Sequence, residues 1–365
     1  MRCPHDTEGR RKMKGLVLAG GKGTRLRPVT YSLAKQLVPV ANRPILHYVV
    51  ENLIAAGIAQ IGVVISPETG EMIRKSLREG HFDAEFSFIL QEEPKGLAHA
   101  VSTARVFLED EPFVMYLGDN LIGSGIRDLV ERFRQGGDEA LILLKEVENP
   151  RMFGVVVTDR EGNAQRLVEK PSVPPSNLAL VGVYLFGRRI FDAIDSLAPS
   201  ARGEYEITDA IQILVDRGFP VRTARLETWW LDTGKKDDLL EANRVVLDEW
   251  AKPDVRGSVV DSSIVGRVRI GEGALVERSI VRGPVVIGEG AVVRDARIGP
   301  FTSIGCGCCI EGSTVDYSVI MEDARICGVE RLDASLVGCR ARIVRRMRRD
   351  ISMSLCVGDD AEIEV

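Results

Sequence analysis

The run Gly20-Gly21-Lys22-Gly23-Thr24-Arg25-Leu26-Arg27-Pro28 has the composition of a phosphate cradle. Glycines let the backbone approach an anion and turn its N–H groups toward it. Lys22, Arg25 and Arg27 add cationic side chains. The spacing is not the G-x-x-x-x-G-K-[ST] of a P-loop. A dinucleotide fingerprint would need a third glycine near Leu26 and an immediate helix. Pro28 opposes that helix, because it pushes the residue before it out of helical geometry. A plain strand-to-helix turn explains one or two glycines, but not three with an adjoining Thr-Arg.

Acidic partners lie far along the chain. Leu117-Gly118-Asp119-Asn120 closes one apolar run, and Trp230-Leu231-Asp232-Thr233-Gly234 places a second Asp after apolar residues. In open α/β sheets ligands gather beyond the C-terminal ends of strands. Two carboxylates can hold Mg²⁺, which takes oxygen ligands and keeps waters and substrate phosphates in its other positions. The alternative for each Asp is to cap a following helix. Glu169-Lys170-Pro171 follows the strand-like stretch Gln165 to Val168, as a binding pair or as an exposed turn. Gln91-Glu92-Glu93-Pro94-Lys95-Gly96-Leu97-Ala98 joins a strand to a helix. The Gln amide offers a donor and an acceptor, which suits a pyrimidine edge, and Gly96 permits close backbone approach; the same residues also make an ordinary Pro/Gly turn. Gly203 to Asp209 opens a helix, where Thr208 and Asp209 also serve as first-turn residues.

The elements that must position these groups come in two grammars. From residue 14 to about 250, short strand-like runs alternate with amphipathic helical runs. Gly15–Ala19, Ile61–Ile65, Glu85–Leu90, Pro112–Leu117 and Ala140–Leu144 read as strands, and Pro44–Gly57 and Ala98–Leu108 as helices. That alternation predicts an α/β domain with a mainly parallel sheet. From about Asp254 helical periodicity gives way to short β-branched segments with aliphatic residues six apart: Ile264, Ile270 and Val276, then Ile287 and Val293, then Ile298, Ile304 and Ile310, then Ile320, Ile326 and Leu332. A six-residue repeat is the signature of a parallel β-helix, whose coils stack aliphatic residues inward. The repeat falters from Arg278 to Val286, which predicts an interrupting loop.

The 365 residues suggest about two or three domains. Hydrophobic residues at 45% and charged residues at 28% are ordinary for a soluble globular protein. A net charge of −5 provides no global field for nucleic acid. The longest apolar run, Leu178–Phe186, is too short for a bilayer and reads as a buried strand, so no membrane association is expected. Residues 1–12 carry charges where a secretory signal needs an apolar core; a disordered extension, a translation start at Met13 and a cytoplasmic location are the corresponding expectations. The cysteines number seven and include no pair of C-x-x-C motifs. Cys306, Cys308 and Cys309 lack nearby histidines, all four of which lie at or before His99, so they read as reduced thiols rather than a zinc site. Arg340 to Arg349 holds six arginines, as a solvated terminal segment or a regulatory anion site.

The motif GGKGTRL, followed by Lys35-Gln36-Leu37-Val38-Pro39-Val40 and Arg43-Pro44, resembles the signature of sugar-phosphate nucleotidyltransferases, in particular their long thymidylyl-transferring form. The likeness extends over almost the whole chain after Met13. It implies a Rossmann-like nucleotidyltransferase domain over residues 13–250, then a left-handed β-helix with a basic C-terminal segment over 251–365. The activity it implies joins dTTP to glucose 1-phosphate and releases pyrophosphate. In the residues that match, Arg25, Lys35, Asp119, Lys170 and Asp232 are catalytic, with Asp119 and Asp232 as the Mg²⁺ ligands. Gly20, Gly21, Gly23, Thr24, Gln91 and Gly96 bind the nucleotide, and Asn120, Gly154, Glu169, Val181 and Glu206 the sugar. Phe153 departs from the Tyr often found at its position.

The attacking phosphate of such a substrate is already anionic near pH 7, so no side-chain general base is required. Alternatives within the class are uridylyl, guanylyl and adenylyl transfer. A non-catalytic nucleotide-sugar-binding subunit is a further alternative. An acyltransferase β-helix would commonly use His as a base, and none follows His99. The faces of a β-helix predict a homo-oligomer.

Overall fold

The computed structural model describes residues 13–21, 23–345, 352–353 and 355–364. The expected extension 1–12, Lys22 and the basic stretch 346–349 lie outside the described residues. The chain forms two compact units that do not follow chain order. One contains residues up to Gly21 together with Leu46–Trp230; the other contains the segment before Leu46 together with residues from Leu231 onward.

The first unit is built on a nine-stranded sheet. Its strands are β1 (Lys14–Leu18), β2 (Gln60–Ile65), β3 (Glu85–Leu90), β4 (Phe113–Leu117), β5 (Ala140–Glu146), β6 (Val155–Thr158), β7 (Ala164–Val168), β8 (Leu178–Phe186) and β9 (Val221–Arg225). The order is β7-β6-β8-β4-β1-β2-β3, with β5 pairing β8 and β9. β4, β1, β2 and β3 run parallel, the expected Rossmann-like half. β8 enters antiparallel to β4 and β5, so the other half is mixed. All nine residues of β8 are buried, as a continuous apolar run requires of a central strand covered on both faces. The expected helix after Pro44 spans Ile45–Ala55, and Gly57 turns left-handed beyond its end. The run 98–108 divides at Ala104 into Leu97–Thr103 and Arg105–Leu108. Phe113, Phe186 and Phe191 pack together in the core, with ring centroids 5.6 and 5.9 Å apart around Phe113.

The second unit contains the left-handed β-helix, formed by parallel sheets of seven, seven and six strands. Ile270 pairs with Ile287 and Ile287 with Ile304 on one side; Val276 with Val293 and Val293 with Ile310 on the next; Val281 with Ile298 on the third. These columns face a single apolar core. The loop expected at Arg278–Val286 is not there. Strands Ile280–Arg282 and Val285–Ile287 continue the coil in register. In three successive coils one corner is tighter, so the inward residues Val276 and Val281, Val293 and Ile298, and Ile310 and Val315 are five apart rather than six. A left-handed residue makes that corner in successive coils, at Asp261, Arg278, Asp295, Gly312 and Gly328. Serines beside the corner hand a hydroxyl to the next coil: Ala296 N–H donates to Ser279 Oγ and Val329 N–H to Ser313 Oγ, both at 3.0 Å. Among the described residues no helix is long and apolar enough to cross a membrane.

Candidate active site

β1 lies between β4 and β2, and the chain goes to opposite sides of β1 to make them. This is a topological switch point, where ligands of open α/β sheets bind. Leu18 pairs with Leu117, so Gly20-Gly21 and Gly118-Asp119-Asn120 leave the sheet at the same end. Gly118 N–H donates to Leu18 O at 3.0 Å. A cavity of about 370 Å³ beside Met13 and Pro112 lies at the opposite ends of these strands and has none of the predicted residues in its lining.

On one side of the switch point, a Cβ on Gly20 would lie 3.5 Å from Gln91 Oε1. Gln91 is buried, and its Nε2 lies 2.8 Å from His99 Nδ1. Burial, aided by Lys95, lowers the His99 pKa and so favours the neutral imidazole, which can accept that bond. The Gln91 donor is thereby engaged and its carbonyl oxygen is turned to Gly20. Gly96, at φ 102°, is required by a backbone clasp, because a Cβ there would lie 2.5 Å from Tyr205 O. Tyr205 N–H donates to Lys95 O at 2.8 Å, and Ala98 N–H to Tyr205 O at 3.1 Å. The clasp ties the Gln91 loop to the segment that carries Glu206.

Glu206 is buried and accepts from Ser200 Oγ at 2.9 Å and Arg202 Nη1 at 3.3 Å. Burial pushes its pKa up, against the pull of Ser200 and Arg202. The same Arg202 nitrogen lies 3.4 Å from Glu169 Oε1, while Thr208 Oγ1 donates to Glu169 Oε2 at 3.3 Å. Burial and then Glu169 also raise the Asp209 pKa. Lys170 Nζ stands 3.4 Å from Glu169 Oε1 and is substantially exposed. Its backbone is left-handed, at φ 38°, although it precedes Pro171, and Lys170 N–H donates to Phe153 O at 3.1 Å. Such a conformation in a non-glycine residue is the kind of strain that collects at functional sites. Gly154 fits under Glu169: a Cβ there would lie 2.7 Å from Thr208 Cγ2 and 3.0 Å from Glu169 Oε2.

Gly154 O accepts from Leu180 N–H at 2.9 Å, which leads to a bulge in β8. The register of β8 against β5 slips between Leu180 and Tyr184. Within the slip Val181 is fully buried. Gly182, at φ 83°, makes room for Asn120, whose side chain would sit 3.1 Å from a Cβ there. Asn120 Oδ1 accepts from Trp230 Nε1 at 2.6 Å, and its Nδ2 donates to Asp119 Oδ1 at 3.0 Å. Phe153, in place of the expected Tyr, packs its ring against Trp230 at 4.8 Å. Gly20, Gln91, Gly96, Glu206, Glu169, Lys170, Gly154, Val181, Asn120 and Asp119 thus form one connected web within the first unit.

Gly23, Thr24, Arg25, Lys35 and Asp232 belong to the second unit. No α-helix follows the glycine loop, in agreement with Pro28; a 3₁₀ turn, Thr24–Leu26, follows instead. Gly23 is left-handed at φ 60°, and a Cβ there would lie 2.9 Å from Lys35 Cβ. Lys35 is buried, with Nζ 3.7 Å from Asp232 Oδ1. Arg25 lays its guanidinium on Gly234, where a Cβ would approach Nη2 to 3.0 Å. Thr24 is exposed in the turn.

Among the described residues no group of three or more His, Cys, Asp or Glu side chains forms a metal cage. Mg²⁺ does not need one, since it uses one or two carboxylates plus substrate phosphates. Asp119 and Asp232 are only partly buried hard oxygen donors, and they fit that use. The six described cysteines are free thiols, and burial pushes Cys308 up to about 12.

His99, Arg202 and Gly182 are the site residues that sequence reasoning missed. Arg202 carried a weak signal, a lone cation just before Glu204 and Glu206. Nothing local marks the other two.

A glycine loop and a carboxylate at a topological switch point, with a lysine–glutamate pair in the same web, are the groups expected of a transferase of phosphorylated substrates. The nucleotidyl transferase family model matches residues 14–249, and the chain belongs to that family. It is 45% identical to the glucose-1-phosphate thymidylyltransferase of Streptomyces antibioticus, over 97% of this chain and 99% of that protein. It is 47% identical to the low-salt glycan biosynthesis nucleotidyltransferase Agl11 of Haloferax volcanii, over 91% of this chain and 94% of that protein. A Bacillus anthracis structure, assigned as a glucose-1-phosphate thymidylyltransferase in complex with a sucrose, superposes with a TM-score of 0.60. That match has 34% identity and covers 64% of this chain and 94% of that one.

Proposed function

We propose that the protein is a glucose-1-phosphate thymidylyltransferase, converting dTTP and glucose 1-phosphate to dTDP-glucose and pyrophosphate. The observation that carries this is the 45% identity to the Streptomyces antibioticus enzyme over nearly both whole chains, β-helix included. A phosphate oxygen of the sugar phosphate attacks the α-phosphorus in line, and the bond to the bridging oxygen of pyrophosphate breaks. The nucleophile enters as an anion, so the protein's task is to suppress repulsion and align the partners. Arg25, Lys35 and the N–H groups of Gly20, Gly21 and Gly23 receive the triphosphate. Lys170 holds the sugar phosphate, and Glu169, Glu206, Asn120 and the backbone at Gly154 and Val181 hold the sugar. Asp119 and Asp232 hold Mg²⁺, which when bound supplies stabilisation of phosphate charge.

The Gln91 carbonyl, aimed by His99, accepts the imide N–H of thymine. Uracil presents the same edge, so uridylyl transfer is the second reading that this residue favours. The catalytic domain is assigned to residues 13–250, and the protein is assigned as a cytoplasmic homo-oligomer. The deciding experiment is a matrix of dTTP, UTP, GTP and ATP against sugar 1-phosphates with Mg²⁺, read as pyrophosphate release from the purified chain. Highest turnover with dTTP and glucose 1-phosphate is expected. Release with no triphosphate, or with purines alone, refutes the assignment.

A further inference from the structure

The segment 23–44, which carries Arg25 and Lys35, packs in one unit with the β-helix and with helix α1 (Lys236–Trp250). After the 3₁₀ turn Lys35–Leu37, Pro39–Val40 pairs with Arg43–Pro44 in a hairpin. Its tip residues Ala41 and Asn42 are left-handed, at φ 50° and 62°, the geometry of a tight two-residue hairpin turn. Ala41 N–H donates to Asn243 Oδ1 at 2.9 Å, and Asn42 Nδ2 donates to Ile304 O at 2.5 Å.

Asn243, on α1, is completely buried. Its Nδ2 donates to Phe301 O at 2.9 Å, and its Oδ1 also accepts from the buried Ser303 Oγ at 2.6 Å. One amide therefore ties together the hairpin tip, the helix and a β-helix coil. Earlier in the segment, Ser32 Oγ donates to Asp359 Oδ2 at 2.7 Å. The other oxygen of Asp359 accepts from Cys339 N–H at 2.8 Å. Arg25 and Lys35 are thus carried on a strap with fastenings to the β-helix at Ser32 and at Ala41-Asn42.

A buried amide bonded through both its oxygen and its nitrogen adds little net stability, but it fixes direction in a way apolar packing does not. We propose that Asn243 is a positioning residue for triphosphate binding. Through Ala41 it sets the hairpin that follows Lys35, and the β-helix becomes a working part of the nucleotide site. This rests on the assignment of Arg25 and Lys35 to the triphosphate.

The test uses the full-length chain with Asn243→Ala and, as the milder change, Ser303→Ala. Initial rates are measured with either substrate varied, using whichever triphosphate the wild type accepts. The expected result for Asn243→Ala is a KM for the triphosphate raised about tenfold or more, the scale of a displaced binding group. The KM for the sugar phosphate stays within about twofold, the range of uncoupled sites. Ser303→Ala moves the same way by less. Hydrogen exchange provides a readout that does not depend on the substrate assignment: inorganic pyrophosphate with Mg²⁺ protects amides in 23–44 of the wild type and fails to do so in the variant. An unchanged triphosphate KM, with normal pyrophosphate protection, in whichever variant folds overturns the proposal. Failure of the functional assignment shows separately, as a wild type that releases no pyrophosphate.

Discussion

Replacing Gly154 by Ala inserts one methyl into the sugar side of the site. Gly154 is not left-handed, so alanine is permitted by the backbone and the effect is steric alone. The new carbon would meet Thr208 Cγ2 at 2.7 Å, Leu180 Cδ1 at 2.9 Å and Glu169 Oε2 at 3.0 Å. Overpacking of this kind costs about 1–3 kcal/mol. The Thr208 and Leu180 methyls belong to short, buried side chains, whereas Glu169 ends in a carboxylate on a flexible stem, so relief comes mainly by displacing Glu169. That carboxylate is the assigned sugar-hydroxyl acceptor, and it moves away from its bonds to Thr208 and Arg202. If about 1.4 kcal/mol of the cost falls on substrate binding, the KM for glucose 1-phosphate rises about tenfold. The assay is steady-state pyrophosphate release with the sugar phosphate varied and the triphosphate saturating, alongside a thermal melt. The triphosphate KM stays level, because none of the assigned nucleotide ligands Arg25, Lys35, Gly20, Gly21, Gly23 and Gln91 is among the groups that the new carbon meets. A folded variant whose sugar-phosphate KM matches the wild type refutes the placement of Glu169 on the sugar.

Asp119→Asn and Lys170→Ala each lower turnover about 10²–10³-fold, the effect of losing about 2.7–4 kcal/mol of electrostatic stabilisation. Their circular dichroism matches the wild type, and near-normal turnover removes the residue from the mechanism. Glu206 titrates above its ordinary range because it is buried. The native state therefore binds its proton more readily than the unfolded chain, and its contribution to stability declines as pH rises from the ordinary value through the raised one. Denaturant titrations of wild type and Glu206→Gln from about pH 4 to 7 should show a stability difference that falls over that interval and then levels; a difference that is constant throughout contradicts the burial effect. Ile310→Ala empties a fully buried position between Val293 and Ile326 and destabilises the β-helix by about 2–5 kcal/mol. A urea midpoint equal to wild type would show that the coils close over the gap.

The β-helix was legible because coil geometry imposes its period on the sequence. Its one misread stretch, Arg278–Val286, came from a corner made by a left-handed residue, which changes the step without breaking the coil. Seven of the nine strands of the sheet were visible as well, β6 and β9 being the two without a reading; the direction of β8 was not, since nine buried apolar residues look alike from either end. Gln91, Asp119 and Lys170 stood out as polar groups bordering apolar runs. Gly182 did not, because its role is set by Asn120, a partner 62 positions away in the chain. Least visible was that residues 23–44 associate with the far end of the sequence, for contacts such as Ser32 to Asp359 leave no local trace.

That long-range fastening sets an order of events during synthesis. Ser32 and Asp359 are separated by 327 residues, and a ribosome adding about 5–20 residues per second takes roughly 16–65 s between them. Ala41 waits for Asn243 over 202 residues. The sheet unit has all its strands by Arg225, 134 residues before Asp359, so a nascent chain owns a finished floor for the sugar while the Ser32 end of the strap bearing Arg25 and Lys35 is still unfastened. The nucleotide end of the site is among the first parts translated and the last to be secured.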